Sequence, residues 1–481
     1  MSEPELCVTV TGATTEAIRR AREAAEADAD LVELRLDFMA RPDPAGAMNG
    51  RRKPVIVTCR PVREGGQFAG AEADRLRILR EAFALGAEYV DVEWDADSVD
   101  LIRARRGRGV VISRHLFEKT SVDARRLLAD LKSSGAEIAK LAVTVDSVAD
   151  LARLTGVAAN HEPAIVIGMG DAGIATRVLA ARFGSRWTYA GDSVAPGQLP
   201  ASRLLHEFRF RRVRSDSAVY GLLGRPAARS LSPSMHNAGF AALGLNAAYV
   251  PFDTTTLDGV RDLAAAMDIR GFSVTSPFKQ AILPLLDDMD PSAAAAGAVN
   301  TIAIRDGRWV GLNTDADGFL EPLLRRNFAL RGVRAVILGA GGAARAVAVA
   351  LRARGAAVSI SARREDAAES VAEAADAERG AWPPPNGSWD LLVNATPVGS
   401  HGSPGMAFGG PFDGRVVYDL VYDPEPTLLM REAANAGCEV IGGLEMLVAQ
   451  AERQFEIWTG QRPPHGLFDA ASRRAQELRQ S

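Results

Sequence analysis

Short β-branched runs alternate with Ala/Arg/Glu/Leu-rich stretches through the first two hundred residues. The runs at 6–11, 31–36, 55–59, 89–92, 109–113, 138–143, 164–168 and 187–190 read as strands. Eight strands with helical segments between most of them, over about 200 residues, predict a compact (β/α)8 barrel; an open doubly wound sheet is the alternative. The polar positions favour the barrel. Side chains alternate with period two along a strand, so VELRLD sets Glu33, Arg35 and Asp37 on one face. Charged groups sharing a strand face are costly unless paired or used. Arg60 ends the third run, with Glu64 just beyond it in REGG. Asp91 and Glu93 share a face in the fourth, His115 ends the fifth, and Lys140 lies within the sixth. Arg177 follows the seventh and Gln198 the eighth. In a barrel these strand ends converge on one mouth, where catalysis sits.

Beyond residue 200, a helical stretch at 201–213 leads through RSDS into a second set of elements, so the boundary near 213–218 is tight. In AVILGAGGAARA a β run ends at Leu338, and Gly339, Gly341 and Ala344 fit G-x-G-x-x-G/A before a helix at 343–351. That is the strand–turn–helix of a dinucleotide site, where glycines let the backbone approach a pyrophosphate at a helix N-terminus. Gly342 and Ala343 belong to the same turn. The next strand ends in SARR, so Arg363 and Arg364 stand where an acidic residue would grip a ribose 2′-hydroxyl. Guanidiniums suit a 2′-phosphate, hence NADP. The stretch 391–399, with Asn394 and Thr396, reads as a later strand and turn near the cofactor. Ser230 and Ser232, Thr275 and Lys279, Asn300 and Thr301, and Asn313 to Asp315 furnish hydroxyls, amides, one amine and one carboxylate, a set suited to a small polyhydroxylated acid.

Composition narrows the class. With 481 residues, 47% hydrophobic and 24% charged, the chain is ordinary globular protein of about three domains. A net charge of −4 offers no basic field for nucleic acid or an anionic membrane. Cys7, Cys59 and Cys438 are too far apart in sequence for a disulfide framework or metal spacing, which fits a reducing cytoplasm. No signal peptide, transit peptide or membrane span is read. Lysine occurs five times, at positions 53, 119, 132, 140 and 279, against 51 arginines. A chain so biased keeps lysine where arginine will not serve, as in imine formation or proton transfer.

The segments ELRLD, TCRPVREGG, SRHLFEKT, EIAKLAV, GMGDAGIATR and APGQ resemble the type I 3-dehydroquinate dehydratases over about residues 1–213. The resemblance implies Lys140 as Schiff-base lysine, His115 as acid/base, and Glu64 orienting it with Asp91 in support. It implies substrate contacts at Glu33, Arg35, Arg60, Arg177 and Gln198. Leu116 and Val194 depart from the family's usual aspartate and serine. Residues from about 217 to 475 are similar to shikimate dehydrogenase, with matching segments at 418–427 and 442–451. That similarity implies Lys279 and Asp315 as the catalytic pair and Ser230, Ser232, Thr275, Asn300, Tyr422 and Gln450 as substrate contacts. Ala362 and Arg364 replace an asparagine and a threonine usual in the cofactor loop.

The expected order is a dehydratase barrel (1–213), a shikimate-binding α/β domain (217–328, completed by helices in 444–475) and an NADP-binding Rossmann domain (329–443). This is the order of the bifunctional dehydratase–dehydrogenases, acting on 3-dehydroquinate and then on 3-dehydroshikimate to give shikimate. Regulators that resemble these enzymes without their chemistry, and NAD-dependent quinate dehydrogenases, are the rival readings. The first should have lost Lys140, His115, Lys279 or Asp315, and SARR speaks against the second. The sequence leaves the oligomeric state open.

Overall fold

Each of the eight apolar runs forms a strand: β1 (Glu5–Val10), β2 (Leu31–Arg35), β3 (Val55–Thr58), β4 (Tyr89–Glu93), β5 (Val110–Leu116), β6 (Ile138–Thr144), β7 (Ala164–Met169) and β8 (Trp187–Ala190). The computed structural model describes residues 3–118, 123–159, 163–192 and 194–480. Lys119 and Thr120 of SRHLFEKT lie outside the described residues. The strands pair in parallel in chain order, β8 returns to β1, and a bridge between Ala164 and Ser185 with Arg186 N donating to Ala164 O (2.8 Å) nearly closes the ring. The result is a nearly closed (β/α)8 barrel.

Helix starts are written locally. Thr14, Asp43, Asp123 and Ser147 accept from backbone N–H groups in the first turns of the helices Thr15–Ala25, Pro44–Met48, Ala124–Ser133 and Val148–Leu154. Inside the barrel one parity of strand positions faces inward. Cys7, Leu31, Ile56, Val111, Ile138, Ile165 and Trp187 form the apolar floor. Each buried aliphatic side chain of this kind is worth about 1.5–3 kcal/mol. Two residues further along the strands the same parity carries Thr9, Glu33, Thr58, Ser113, Lys140 and Tyr189, with Asp91 two residues past Tyr89.

The described chain divides into two compact units, Met1–Ile269 with Leu478–Ser481, and Arg270–Glu477. The division falls inside the segment 217–328. After the barrel, β9 (Ala218–Gly224) and β10 (Ala247–Asp253) run parallel, joined by the helix Ser232–Ala242. They pack on the barrel within the first unit. Val148 N donates to Thr254 Oγ1 at 3.2 Å, Arg182 Nη2 to Ser217 O at 2.6 Å, and Arg225 pairs with Asp146 at 3.1 Å. The helix expected over 201–213 is instead a π-helical turn Arg203–Glu207 and a 3-10 turn Phe210–Arg212. Arg209, at φ 51°, breaks it, while Phe208 and Phe210 are driven into the core on either side.

In the second unit β11 (Ile269–Val274, whose first residue belongs to the first unit), β13 (Thr301–Arg305) and β14 (Arg308–Leu312) pair antiparallel, and the short β12 (Asp288–Met289) lies beside β14. Then β15 (Arg334–Leu338), β16 (Ala357–Ser361), β17 (Glu378–Arg379), β18 (Leu391–Asn394), β19 (Val416–Asp419) and β20 (Glu439–Ile441) form a parallel sheet in the order β17-β16-β15-β18-β19-β20. This is the doubly wound order in which ligands bind where the winding reverses, at the C-terminal ends of β15 and β18. The helix Gly443–Thr459 packs on the helix Asp315–Arg325. The approach is close at Gly318, where a Cβ would lie 3.0 Å from Gln450 N, and Arg326 is bound to Glu445 at 2.8 Å.

Candidate active sites

The inward parity that fills the barrel floor with apolar side chains delivers polar ones to its mouth. They line a pocket that includes Glu33, Arg35, Arg60, Glu64, His115, Lys140, Arg177 and Gln198. Eight of the nine residues expected there thus surround one cavity; Asp91 lies just beneath it. Lys140 does not stand alone in apolar surroundings. Its Nζ is 2.9 Å from Asp91 Oδ2 and 4.2 Å from the centre of the Tyr189 ring. Asp91 also takes Arg60 Nη2 at 3.0 Å and the Ser113 hydroxyl at 2.6 Å. Burial would raise its pKa, but Arg60 and then Lys140 overcome this and hold the carboxyl well below the usual range.

His115 Nδ1 and backbone N both meet Glu64 Oε2 at 2.9 Å. Burial, then Arg60 and Lys140, push the imidazole well below its ordinary 6.5, so it is neutral. Burial pushes Glu64 up to about 7. The two share protons as a pair that titrates near neutrality. With Glu64 ionised and accepting from Nδ1–H, Nε2 is left as a base.

The outer contacts differ in kind. Glu33 accepts from the Thr9 and Thr58 hydroxyls, each at 2.8 Å, and Gln198 Nε2 donates to Thr9 Oγ1 at 3.1 Å. Asp37 sits not on β2 but in the 3-10 turn Leu36–Phe38 that ends it, where it holds Arg35 by two bonds of 2.9 Å. Arg177 is fully buried, with long bonds to the carbonyls of Tyr189 (3.4 Å) and Pro196 (3.2 Å), and its Nε has no partner. No carboxylate pairs with it among the described residues, and burial lowers it to about 10. An uncompensated buried guanidinium at a pocket wall is built for an anion. Sequence reasoning missed Thr9, Thr58, Ser113 and Tyr189, whose residue types are ordinary in strands. Their only signal was sharing parity with Glu33, Asp91 and Lys140.

In the second unit Lys279 Nζ meets Asp315 Oδ2 at 2.5 Å, and Asn300 Nδ2 donates to Asp315 Oδ1 at 2.8 Å. Asn313 Oδ1 accepts from Asp315 N at 2.9 Å, which sets the start of that helix. Thr275 opens the turn before Lys279, its carbonyl accepting from Phe278 N at 2.9 Å. Gln450 faces Gly318 across the helix pair. Its neighbour one turn on, Gln454, was missed by the sequence reading. It donates to Asn300 O and Thr301 Oγ1 and accepts from Ser273, so it fixes the loop that carries Asn300. Tyr422 is half-buried in the loop after β19. Ser230 and Ser232 belong to the first unit, where both are buried and their hydroxyls are 3.1 Å apart.

The Gly-rich turn fits a dinucleotide. Gly339 has φ +109° and a Cβ there would lie 3.0 Å from Thr396 and 3.1 Å from Ala395 O, whereas Gly341 and Gly342 face open space at the start of the helix Gly342–Ala353. That leaves a backbone cradle that side chains would fill. Ala343 is half-buried in the first helical turn. Arg363 and Arg364 are exposed and carry no ion pair among the described residues. Asn394 is committed to its own turn: it donates to Asp419 Oδ1 (2.8 Å) and Val398 O (3.0 Å) and accepts from Thr396 Oγ1 (2.7 Å).

Residues 6–215 match the family model for type I 3-dehydroquinase. Residues 222–302 match that for the shikimate dehydrogenase substrate binding domain, and 443–468 the shikimate 5′-dehydrogenase C-terminal domain. The bifunctional 3-dehydroquinate dehydratase/shikimate dehydrogenase of Arabidopsis thaliana, a chloroplastic protein, is 35% identical over 92% of this chain and 80% of its own. The chain belongs to that bifunctional family. Over its second half it is 42% identical to the NADP+ shikimate dehydrogenase of a Synechococcus strain, covering 52% of this chain and 93% of the relative. Among solved structures, a shikimate dehydrogenase in complex with NADP+ aligns with a TM-score of 0.52 at 36% identity, covering 55% of this chain and 97% of that one. The enzyme from Aquifex aeolicus aligns at 0.51 and 33%, covering 54% and 99%. Among the described residues, no helix is long and apolar enough to cross a membrane.

Proposed function

We propose that the chain dehydrates 3-dehydroquinate to 3-dehydroshikimate in its barrel and reduces that product to shikimate with NADPH in its second half. The observation that carries the first step is Lys140, the one lysine lining the barrel pocket among the described residues, set in the same cavity as His115. Lys140 Nζ, as the free amine, attacks the ketone carbon; water leaves from the carbinolamine and an imine forms. The iminium acidifies the neighbouring carbon. His115 Nε2 takes that proton and returns it to the departing hydroxyl, which leaves as water. Hydrolysis of the imine consumes the water released in forming it and restores Lys140, so the net change is loss of one water. Asp91 and Arg60 keep the site's charges fixed, and Arg177 takes the substrate carboxylate.

For the reduction, Gly339, Gly341, Gly342 and Ala343 would hold the dinucleotide at the helix N-terminus, and Arg363 and Arg364 its 2′-phosphate. NADPH, when bound, supplies a hydride to the ketone carbon. Lys279 gives a proton to the oxygen, with Asp315, itself held by Asn300, keeping the ammonium in place. In the second unit Thr275, Tyr422 and Gln450 hold the ring substituents and carboxylate. The relatives named for NADP+ support the cofactor assignment. Three buried free thiols suit a reducing cytoplasm. The test is a coupled assay: 3-dehydroquinate and NADPH together should give shikimate and loss of nicotinamide absorbance. Absorbance that falls only when 3-dehydroshikimate is supplied directly would refute the first half.

A further inference from the structure

The charges at the barrel mouth do not end at Lys140. Asp91 takes Arg60 Nη2; Arg60 Nη1 meets Glu93 Oε1 at 2.7 Å; Glu93 Oε2 meets Arg75 Nη1 at 2.5 Å. Arg75 lies on the helix Glu72–Ala84, outside the strand ring, and grips Glu72 at 2.7 and 2.9 Å. Glu72 reaches Arg63 at 3.5 Å, and Arg63 is clamped to Asp95 by bonds of 2.8 and 2.9 Å. Arg63 is the residue before Glu64. Acid and base alternate without a gap from Lys140 round to the loop that carries the partner of His115. Glu93 and Arg75 are fully buried, and neither lines the pocket.

Burying two such charges outside the cavity is poor value for stability alone, since an apolar replacement of similar volume is often neutral or better. We propose that Glu93 and Arg75 are positioning residues for the dehydration, which set the protonation of Lys140 through Arg60 and Asp91. The proposal rests on the imine role of Lys140. Glu93 holds one end of the Arg60 guanidinium. With that end anchored, Arg60 shares Asp91 with Lys140; released, Arg60 turns more of itself to Asp91 and the lysine loses its anion. Arg75 works in the opposite sense, because it draws Glu93 away from Arg60. The other charged or titratable groups around Lys140 are His115 from β5 with its partner Glu64, Glu33 and Arg35 from β2, Cys7 from β1, Tyr189 from β8, and Arg177 beyond β7. They are the same in every variant below.

The two rungs therefore carry predictions of opposite sign. Glu93→Gln removes a negative charge and favours the neutral amine; Arg75→Met removes a positive one and favours the ammonium. The measurement is borohydride trapping of Lys140 by 3-dehydroquinate in the full chain as a function of pH, with kcat and KM of dehydration. Shikimate dehydrogenase activity and thermal melting report folding. The expected result is that the pH of half-maximal trapping falls by about one unit in Glu93→Gln and rises in Arg75→Met, the size given by one charge near a buried group at an effective dielectric of about 20. KM should stay within about threefold in both, and Glu93→Asp should restore the wild-type midpoint. If Glu93→Gln does not fold, the upward shift in Arg75→Met decides alone. Unchanged midpoints, or shifts of the same sign in both variants, would overturn the proposal while leaving the imine intact. Wild-type protein that is not trapped at Lys140 would remove the imine reading as well.

Discussion

Arg177 offers a test whose two halves point in opposite directions. It is fully buried, keeps only two long bonds to carbonyls, and has no carboxylate partner among the described residues. Burial lowers it from the ordinary 12.5 to about 10. At about 1.4 kcal/mol for each pKa unit, this is roughly 3 kcal/mol held against the charged form. The unfolded chain keeps the higher value, so the cost is present in full at neutral pH and disappears only as pH rises from 10 towards 12.5. Arg177→Met removes the charge and keeps most of the volume. It also leaves two carbonyls without a donor, at about 1 kcal/mol each. The ligand-free protein should therefore gain about 1 kcal/mol, or roughly 2 °C at the melting transition of the first unit.

Binding should move the other way. A substrate carboxylate taken by a buried guanidinium makes two charge-assisted bonds of about 1.5–3 kcal/mol each. Their loss should raise KM for 3-dehydroquinate by a factor of roughly 10² or more. The assay pairs melting curves with dehydration kinetics, each with and without a carboxylate-bearing substrate analogue. Wild type should be stabilised by the analogue and the variant should not. An unchanged KM, or a ligand-free variant that loses more than about 2 kcal/mol, would show Arg177 to be structural and refute the assignment.

Four further outcomes are expected. Lys140→Arg keeps a cation beside Asp91 but forms no imine, so borohydride trapping should vanish and dehydration should collapse; normal turnover would refute the mechanism. Dehydration in the wild type should rise through about pH 7 as the Glu64–His115 pair loses a proton, and Glu64→Gln should move that limb to lower pH, because the remaining imidazole titrates well below 6.5; a limb that stays at 7 would place the titration elsewhere. Arg363→Ala with Arg364→Ala should cost the preference for NADPH over NADH about tenfold to over a hundredfold, the worth of a charge-assisted contact of about 1.5–3 kcal/mol, and equal efficiency with both cofactors in the unmodified protein would contradict the role. Lys279→Met should lower kcat for reduction far more than it raises KM for 3-dehydroshikimate; the reverse pattern would make Lys279 a clamp rather than a proton donor.

The sequence and the structure agree where chemistry follows a local period, and part where it depends on what crosses the ring. Glu33, Asp91, His115 and Lys140 were legible because a strand repeats every two residues and each stood near the end of its own apolar run. The Gly339–Gly342 turn was legible for the same kind of reason, since strand, turn and helix follow in one short stretch. Arg75 left no such trace. On its helix it reads as one more arginine among 51, and only the fold shows it passing behind Cys59, whose carbonyl it bonds at 3.2 Å, to reach Glu93. Thr9 and Ser113 were hidden for a related reason: a hydroxyl on a strand carries no charge to be explained, yet here each bridges two ionisable or amide groups from other parts of the barrel. The same distinction explains the two misread segments. The stretch 201–213 has helical composition but is set by where Phe208 and Phe210 find the core, and Asp37 follows the alternation of β2 in sequence but leaves the strand to hold Arg35. Lys140 shows what this means for function. Its position could be read from one strand, but its surroundings could not: Asp91 meets it from β4, Arg60 meets Asp91 from just beyond β3, and Arg75 joins the same run of ion pairs through Glu93 from an outer helix.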